Sequence, residues 1–110
     1  MLFRSSHIFG QLEGGVVIKT VDELVPKMEE VVNMLNLNEV SRSFYQFDPF
    51  GATGVIVLAE SHFSAHTYPE DDKVYLDLFC CSKDFDPDIA ATVISKVFNA
   101  DLFMWEKVKR

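Results

Sequence analysis

The sequence predicts an α+β fold, a two-layer sandwich in which a mostly antiparallel sheet carries two helices on one face. Two segments have a helix N-cap followed by apolar residues at helical spacing, and one lies in each half of the chain. Shorter segments with strand patterns precede, separate and follow these helices. This order of strand, helix, several strands, helix and strand is typical of folds whose helices lie together on one face of an antiparallel sheet.

The first third of the chain predicts one strand and one helix. Residues 2–11 have a strand pattern that ends before a glycine turn at Gly14 and Gly15. Thr20 and Glu23 have the spacing of a capping box, so a helix is expected from there to about residue 36. Its apolar residues recur at helical spacing and are Val21, Leu24, Val25, Met28, Val31, Val32 and Leu35.

Two strands are predicted next. Residues 40–47 form the first, and the turn Asp48-Pro49-Phe50-Gly51 closes it. Residues 54–59 form the second, which is short and apolar on both faces. A strand of that composition is expected in the middle of a sheet.

The third part of the chain predicts a loop at 69–72, a strand at 73–81, a helix and a final strand at 102–108. Asp86 and Pro87 form a good helix start, and the core stripe that follows is Ala90, Val93, Ile94, Val97 and Phe98. The helices cover one sheet face only. The other face keeps aromatic and apolar residues, which a second copy of the protein could cover.

The composition limits the function. With 110 residues the chain forms a single domain, residues 1–110. A net charge of −7 argues against nucleic-acid binding and is compatible with a cationic small molecule. No apolar run is long enough for a membrane span, and the N-terminus has no signal-peptide pattern, which predicts a cytoplasmic protein. Cys80 and Cys81 are adjacent, so a disulfide between them is not expected.

A short central segment, residues 60–70, holds a dense set of reactive side chains directly after the apolar run 54–59. It contains two carboxylates, a hydroxyl and two imidazoles, which belong to Glu60, Glu70, Ser61, His62 and His66. Cys81 follows Ser61 by twenty positions, and Thr53 precedes it by eight.

These features resemble the bacterial-type S-adenosylmethionine decarboxylases. The matching parts are Glu60-Ser61-His62, His66-Thr67-Tyr68-Pro69-Glu70, the spacing from Ser61 to Cys81, the turn Phe47-Asp48-Pro49-Phe50-Gly51, and Thr53. A match in several parts is more specific than any single motif. The resemblance implies a zymogen that cuts its own chain between Glu60 and Ser61, giving residues 1–60 and 61–110. It also implies that Ser61 becomes a pyruvoyl cofactor.

The resemblance assigns a role to each residue of the self-cleavage site. Ser61 attacks the carbonyl of Glu60 and converts the peptide bond into an ester. His66 assists removal of the Ser61 α-proton, so that the ester is eliminated. Thr53 polarises or positions the carbonyl, and Cys81 is the general acid of the decarboxylation, which His66 could assist.

The implied reaction is the decarboxylation of S-adenosylmethionine for polyamine synthesis, spermidine in particular. The pyruvoyl group condenses with the substrate amine as a Schiff base and serves as the electron sink. Phe47 and Tyr68 are candidates to stack on the adenine or the sulfonium, and Glu70 is a candidate to bind the ribose or the positive charge. The family also implies a homodimer, with the active site near the interface.

Two alternatives remain open at this point. Tyr68 and Cys80 depart from the family pattern and the loop at residues 70–72 is unusually acidic, so the same machinery could decarboxylate arginine or ornithine. An inactive relative that does not cleave itself, and instead binds and regulates a partner or a ligand, is the other alternative.

The two histidines of the segment could bind a metal instead of taking part in catalysis. His62 and His66 could form a zinc pair on a helix, but their setting favours a strand and no third ligand has clear spacing, so no metal is predicted. His62 is expected to be structural. Ser61 and His66 have opposite parity, so a break or bulge in the strand would have to bring them together.

Overall fold

A computed structural model describes residues 5–109 and confirms the predicted class. Six antiparallel strands form one sheet in the order β2-β3-β4-β5-β1-β6. Its elements in chain order are β1 (Ser6–Glu13), α1 (Val21–Met34), β2 (Glu39–Gln46), β3 (Ala52–Leu58), β4 (Ser61–Tyr68), a 3₁₀ turn (Pro69–Asp71), β5 (Lys73–Cys80), α2 (Pro87–Phe98) and β6 (Leu102–Lys109). Neither helix has the length and apolar character needed to cross a membrane.

Most predicted boundaries hold to within a few residues. The first strand was expected at 2–11, but in the described part of the chain it runs from Ser6 to Glu13, and residues 2–4 lie outside that part. Thr20 and Glu23 form the expected capping box, and the Asp86 side chain caps α2 by accepting from the backbone N–H of Asp88 at 2.9 Å. The segment at 69–72, expected as a loop, contains the 3₁₀ turn.

Both helices pack on the same face of the sheet and build one core there. α1 lies over β2 and β3, and α2 lies over β1 and β6. The largest fully buried side chains include Phe63, Phe98, Ile8, Leu12, Leu24, Met28, Ile56, Leu78 and Ile94. Side chains alternate along a strand, so the residues before and after each buried strand residue point to the other face of the sheet.

The other face, which we call the open face, has no helix over it in the described part of the chain. Its exposed aromatic and large apolar side chains include Phe9, Tyr45, Val55, Val57, Tyr68, Tyr75 and Met104, each between 36% and 63% exposed. The sequence predicted this uncovered apolar face. Isolated monomers seldom expose apolar residues in such a contiguous arrangement.

Candidate active site

The residues of the central motif lie at two places, at opposite ends of β4. We call the position of Glu60, Ser61 and Cys81 the serine end, and the position of Thr53 and His66 the histidine end. β4 pairs with β3 without interruption from Ser61 opposite Leu58 to His66 opposite Thr53. At ~3.3 Å per residue, five residues of regular strand separate the Cα atoms of Ser61 and His66 by about 16 Å.

This geometry corrects the expectation of a bulge in β4. The strand is paired on both sides, with β3 and with β5, in continuous register over Ser61 to His66. A bulge would leave ladder hydrogen bonds unmade on both sides, so the regular strand is favoured. Within one chain, Ser61 and His66 therefore stay at opposite ends of the strand.

The serine end brings Cys81 next to the Glu60–Ser61 peptide. β4 and β5 are antiparallel neighbours, and Ser61 is the register partner of Cys80. The backbone N–H of Cys81 donates a hydrogen bond of 2.9 Å to the carbonyl oxygen of Glu60. The Cys81 thiol is partly buried and accepts from the Ser5 hydroxyl at 3.4 Å. Cys80, in contrast, faces the helices, and burial raises the pKa of its thiol.

The carboxylate of Glu60 is bound by Asn38, a residue that the sequence did not single out. The backbone N–H of Asn38 lies 3.1 Å from Oε1 of Glu60, and its side-chain Nδ2 lies 2.7 Å from Oε2. Burial raises the pKa of Glu60, but the hydrogen bonds from Asn38 outweigh it and leave that pKa below its usual value. Asn38 lies in the loop before β2, and only the β2–β3 pairing brings it to Glu60.

The histidine end is an aromatic cluster around His66. Thr53 Oγ1 and His66 Nδ1 are hydrogen-bonded to each other, because the two residues are register partners across β3 and β4. The His66 ring lies between Phe47 and Tyr68, with ring-centroid distances of 5.3 and 4.8 Å. Tyr68 in turn contacts Tyr75 edge-on at 5.4 Å.

The histidine end also borders a cleft of about 250 Å³ on the open face. Thr53, Ser64, His66, Tyr75 and Asp77 supply its open-face side chains. Glu70 lies in the 3₁₀ turn just beyond β4 and is exposed. The histidine end therefore combines an imidazole, a hydroxyl, aromatic rings and nearby carboxylates around an open space.

Asp77 forms a third cluster, between the two ends. Its Oδ2 lies 3.0 Å from Nε2 of His7 and 3.2 Å from Nε2 of His62, and its Oδ1 accepts from the Ser64 hydroxyl. Burial raises the pKa of Asp77, but the hydrogen bonds from Ser64, His7 and His62 outweigh it and lower that pKa. The sequence gave no signal that His7 would bind Asp77, because seventy residues separate them.

The zinc pair considered from the sequence, His62 with His66, does not form. His62 binds Asp77 and His66 binds Thr53. Within residues 5–109, the ligand atoms of His7, His62 and Asp77 do lie within 4.8 Å of one another. Hydrogen bonds from two imidazoles to one carboxylate account for that arrangement. The absence of a metal remains a prediction.

Comparison with known proteins agrees with this geometry. A family model described as S-adenosylmethionine decarboxylase matches residues 6–110. The S-adenosylmethionine decarboxylase proenzyme of Picrophilus torridus is 36% identical over 106 residues, which cover 94% of this chain and 82% of that protein. The proenzyme of Thermodesulfovibrio yellowstonii is also 36% identical, over 95 residues that cover 80% and 70% of the two chains.

A solved structure gives the same result for the fold. The crystal structure of the adenosylmethionine decarboxylase from Aquifex aeolicus superposes with a TM-score of 0.86 at 31% sequence identity. The match covers 100% of this chain and 92% of that one. Family model, relatives and structure agree along nearly the whole chain. The chain therefore belongs to the S-adenosylmethionine decarboxylase family.

Proposed function

We propose that the protein is an S-adenosylmethionine decarboxylase that cleaves itself between Glu60 and Ser61 and forms a pyruvoyl cofactor from Ser61. The observation that carries the proposal is the serine end, where Ser61 follows a carbonyl that already accepts a hydrogen bond from the Cys81 N–H. The relatives named above are proenzymes, which supports a maturation step. The products are residues 1–60 and 61–110.

The first step needs the Ser61 hydroxyl and the Glu60 carbonyl. Ser61 Oγ attacks the carbonyl carbon, a C–O ester bond forms, the C–N bond of the peptide breaks, and the hydroxyl proton passes to the freed nitrogen. Negative charge develops on the Glu60 carbonyl oxygen during the attack. The Cys81 N–H, at 2.9 Å, is already positioned to stabilise it.

The second step needs a base at the α-carbon of residue 61, and His66 is the candidate. Removal of the α-proton breaks the Cβ–Oγ bond of residue 61 by β-elimination, so the oxygen stays on Glu60 as a carboxylate and a dehydroalanine remains at position 61. Water then replaces the amine nitrogen, and ammonia leaves. The resulting pyruvoyl group supplies an electron sink for decarboxylation, with Cys81 as the proton donor to the former α-carbon.

His66 cannot reach residue 61 of its own chain across about 16 Å of regular strand. We therefore propose a homodimer in which the open faces of two copies pack against each other about a twofold axis. An axis near the middle of β4 exchanges the two ends of that strand, so His66 of one copy approaches the main chain of residue 61 in the other. The exposed apolar side chains of the open face favour such packing.

The same arrangement explains how S-adenosylmethionine would bind. Phe47 and Tyr68 flank His66, and Glu70 lies just beyond Tyr68, so all three would join the partner's residue 61 in one composite site. Aromatic rings can stack on the adenine and attract the sulfonium cation, and a carboxylate can bind the ribose hydroxyls or the charge. The net charge of −7 also favours a cationic substrate.

Intact mass spectrometry of the purified protein tests the proposal. We expect two chains, residues 1–60 and residues 61–110, the second with a blocked N-terminus. Ser61→Ala should stay as one chain, whereas the control Ser95→Ala, a serine on α2, should cleave normally. The processed protein should release carbon dioxide from carboxyl-labelled S-adenosylmethionine and far less from arginine or ornithine. A wild-type chain that stays intact after long incubation would contradict the proposal.

A further inference from the structure

Asn38 makes three hydrogen bonds to the two residues that precede Ser61. The backbone N–H of Ala59 donates to the Asn38 carbonyl oxygen at 2.8 Å. The backbone N–H and the side-chain Nδ2 of Asn38 donate to the two carboxylate oxygens of Glu60, at 3.1 and 2.7 Å. Main chain and side chain of one residue thus hold the whole connection between β3 and β4.

These contacts matter because Glu60 supplies the carbonyl carbon that Ser61 attacks. The Glu60 carbonyl oxygen is held from a different side, by the Cys81 N–H at 2.9 Å. The residue is therefore fixed through its carboxylate by the α1–β2 loop and through its carbonyl by the end of β5. Two attachments in different directions limit rotation of the Glu60–Ser61 peptide. A small misplacement of reacting atoms is costly in rate.

We propose that Asn38 is a positioning residue for self-cleavage, which holds Glu60 so that the Ser61 hydroxyl meets the Glu60 carbonyl carbon. This inference rests on the self-cleavage proposed above. In the step concerned, the Oγ–C bond forms, the C–N bond breaks, and the hydroxyl proton moves to the nitrogen. Asn38 contacts neither the carbonyl carbon nor the hydroxyl, so it acts through Glu60.

The test follows the rate of cleavage after synthesis of the full chain by cell-free translation, with intact mass measured at intervals. Asn38→Ala removes the side-chain hydrogen bond of 2.7 Å to the Glu60 carboxylate, which is the shorter of the two bonds to that group. We expect cleavage to slow roughly tenfold. Asn38→Asp should be slower still, because two carboxylates then face each other. Asn33→Ala and Asn33→Asp, on an exposed position of α1, are the matched controls and should cleave at the wild-type rate.

A double variant separates positioning from general stability. In Asn38→Asp/Glu60→Gln the donor and acceptor are exchanged, since the new amide can donate to the new carboxylate. We expect this double variant to recover most of the rate that Asn38→Asp loses. Unlike a variant blocked at the elimination, the slow single variants should accumulate no ester that hydroxylamine cleaves. Unfolding temperatures are compared in a Ser61→Ala background, where every chain stays whole.

The outcomes are distinguishable. Asn38→Ala and Asn38→Asp that cleave as fast as a cleaving wild type would overturn this inference and leave the proposed function intact. A wild type that never cleaves would instead remove the proposed function. Slow cleavage that the second substitution fails to restore, together with lowered unfolding temperatures, would reduce Asn38 to a structural residue and also overturn the inference.

Discussion

At the scale of single residues, Glu60 is held in two separate ways, and each serves a different need. Its carboxylate binds Asn38, which keeps it charged and fixed at the sheet end. Its carbonyl accepts from Cys81, which leaves the carbonyl carbon beside Ser61 and favours charge on the oxygen. The carboxylate and the carbonyl of Glu60 are thus both held before any reaction takes place.

The separation of Ser61 from His66 divides the proposed maturation into two stages that single substitutions can isolate. His66→Ala leaves Ser61 and the Cys81 N–H untouched, so we expect the ester to form and the elimination to stop. Hydroxylamine should then split the chain at the ester, and intact mass should give a hydroxamate of residues 1–60. Ser61→Ala is the control and should not respond to hydroxylamine. Normal maturation of His66→Ala would show that another group removes the α-proton.

At the scale of the elements, local sequence patterns predicted the helices and strands well. The capping box at Thr20, the Asp86 cap and the alternation along β5 each depend on residues close in sequence. The pairing of Ser61 with Cys80, the neighbour of Cys81, is likewise local, since an antiparallel hairpin joins their strands.

The strand order and the contacts across it were not predictable from the same patterns. β1 inserts between β5 and β6, and this places His7 beside Asp77 although seventy residues separate them. Asn38 likewise meets Glu60 only through the pairing of β2 with β3. Periodicity carries no information about such long-range pairing. The expected bulge in β4 was wrong for a related reason, because the strands on both sides hold β4 regular.

The β2–β3 pair contains a close contact whose energy can be measured. Gly54 is the register partner of Phe44, and a Cβ atom on Gly54 would lie 2.2 Å from the Phe44 ring and 3.0 Å from the Met28 sulfur. We expect Gly54→Ala to lower the free energy of unfolding by about 1–3 kcal/mol, because the ring has to move out of a packed position.

Urea unfolding in a Ser61→Ala background checks this value on a single uncleaved chain. Phe44→Leu/Gly54→Ala is the informative partner variant, since the smaller side chain makes room for the added methyl group. The two substitutions should then cost less together than the sum of their separate effects. A neutral Gly54→Ala would show that Phe44 moves freely and that the contact carries no strain.

At the scale of the whole molecule, the open face is unusual in holding a charged cluster among apolar residues. Asp77 is the carboxylate of this cluster, and His7, His62 and Ser64 all bind it. A carboxylate with this many hydrogen bonds can be covered by a second copy without leaving an unpaired buried charge. The arrangement therefore removes one cost that would otherwise oppose packing of two open faces.

The proposed dimer makes a prediction that no monomer can satisfy. A mixture of Ser61→Ala and His66→Ala protomers, unfolded and refolded together, should form some dimers that contain one of each. In such a dimer the His66→Ala protomer keeps its own Ser61 and receives His66 from its partner, so this protomer should mature to residues 1–60 and 61–110. Its partner lacks Ser61 and should remain whole.

Intact mass distinguishes the two protomers when one of them carries a short tag. Each variant refolded alone is the control, and neither should mature. If His66 acts within its own chain, maturation needs Ser61 and His66 in the same protomer. Neither variant has both, so mixing should produce no pyruvoyl chain. Failure of the mixture, combined with sedimentation as a monomer at micromolar concentration, would remove the shared site and require β4 to rearrange within one chain.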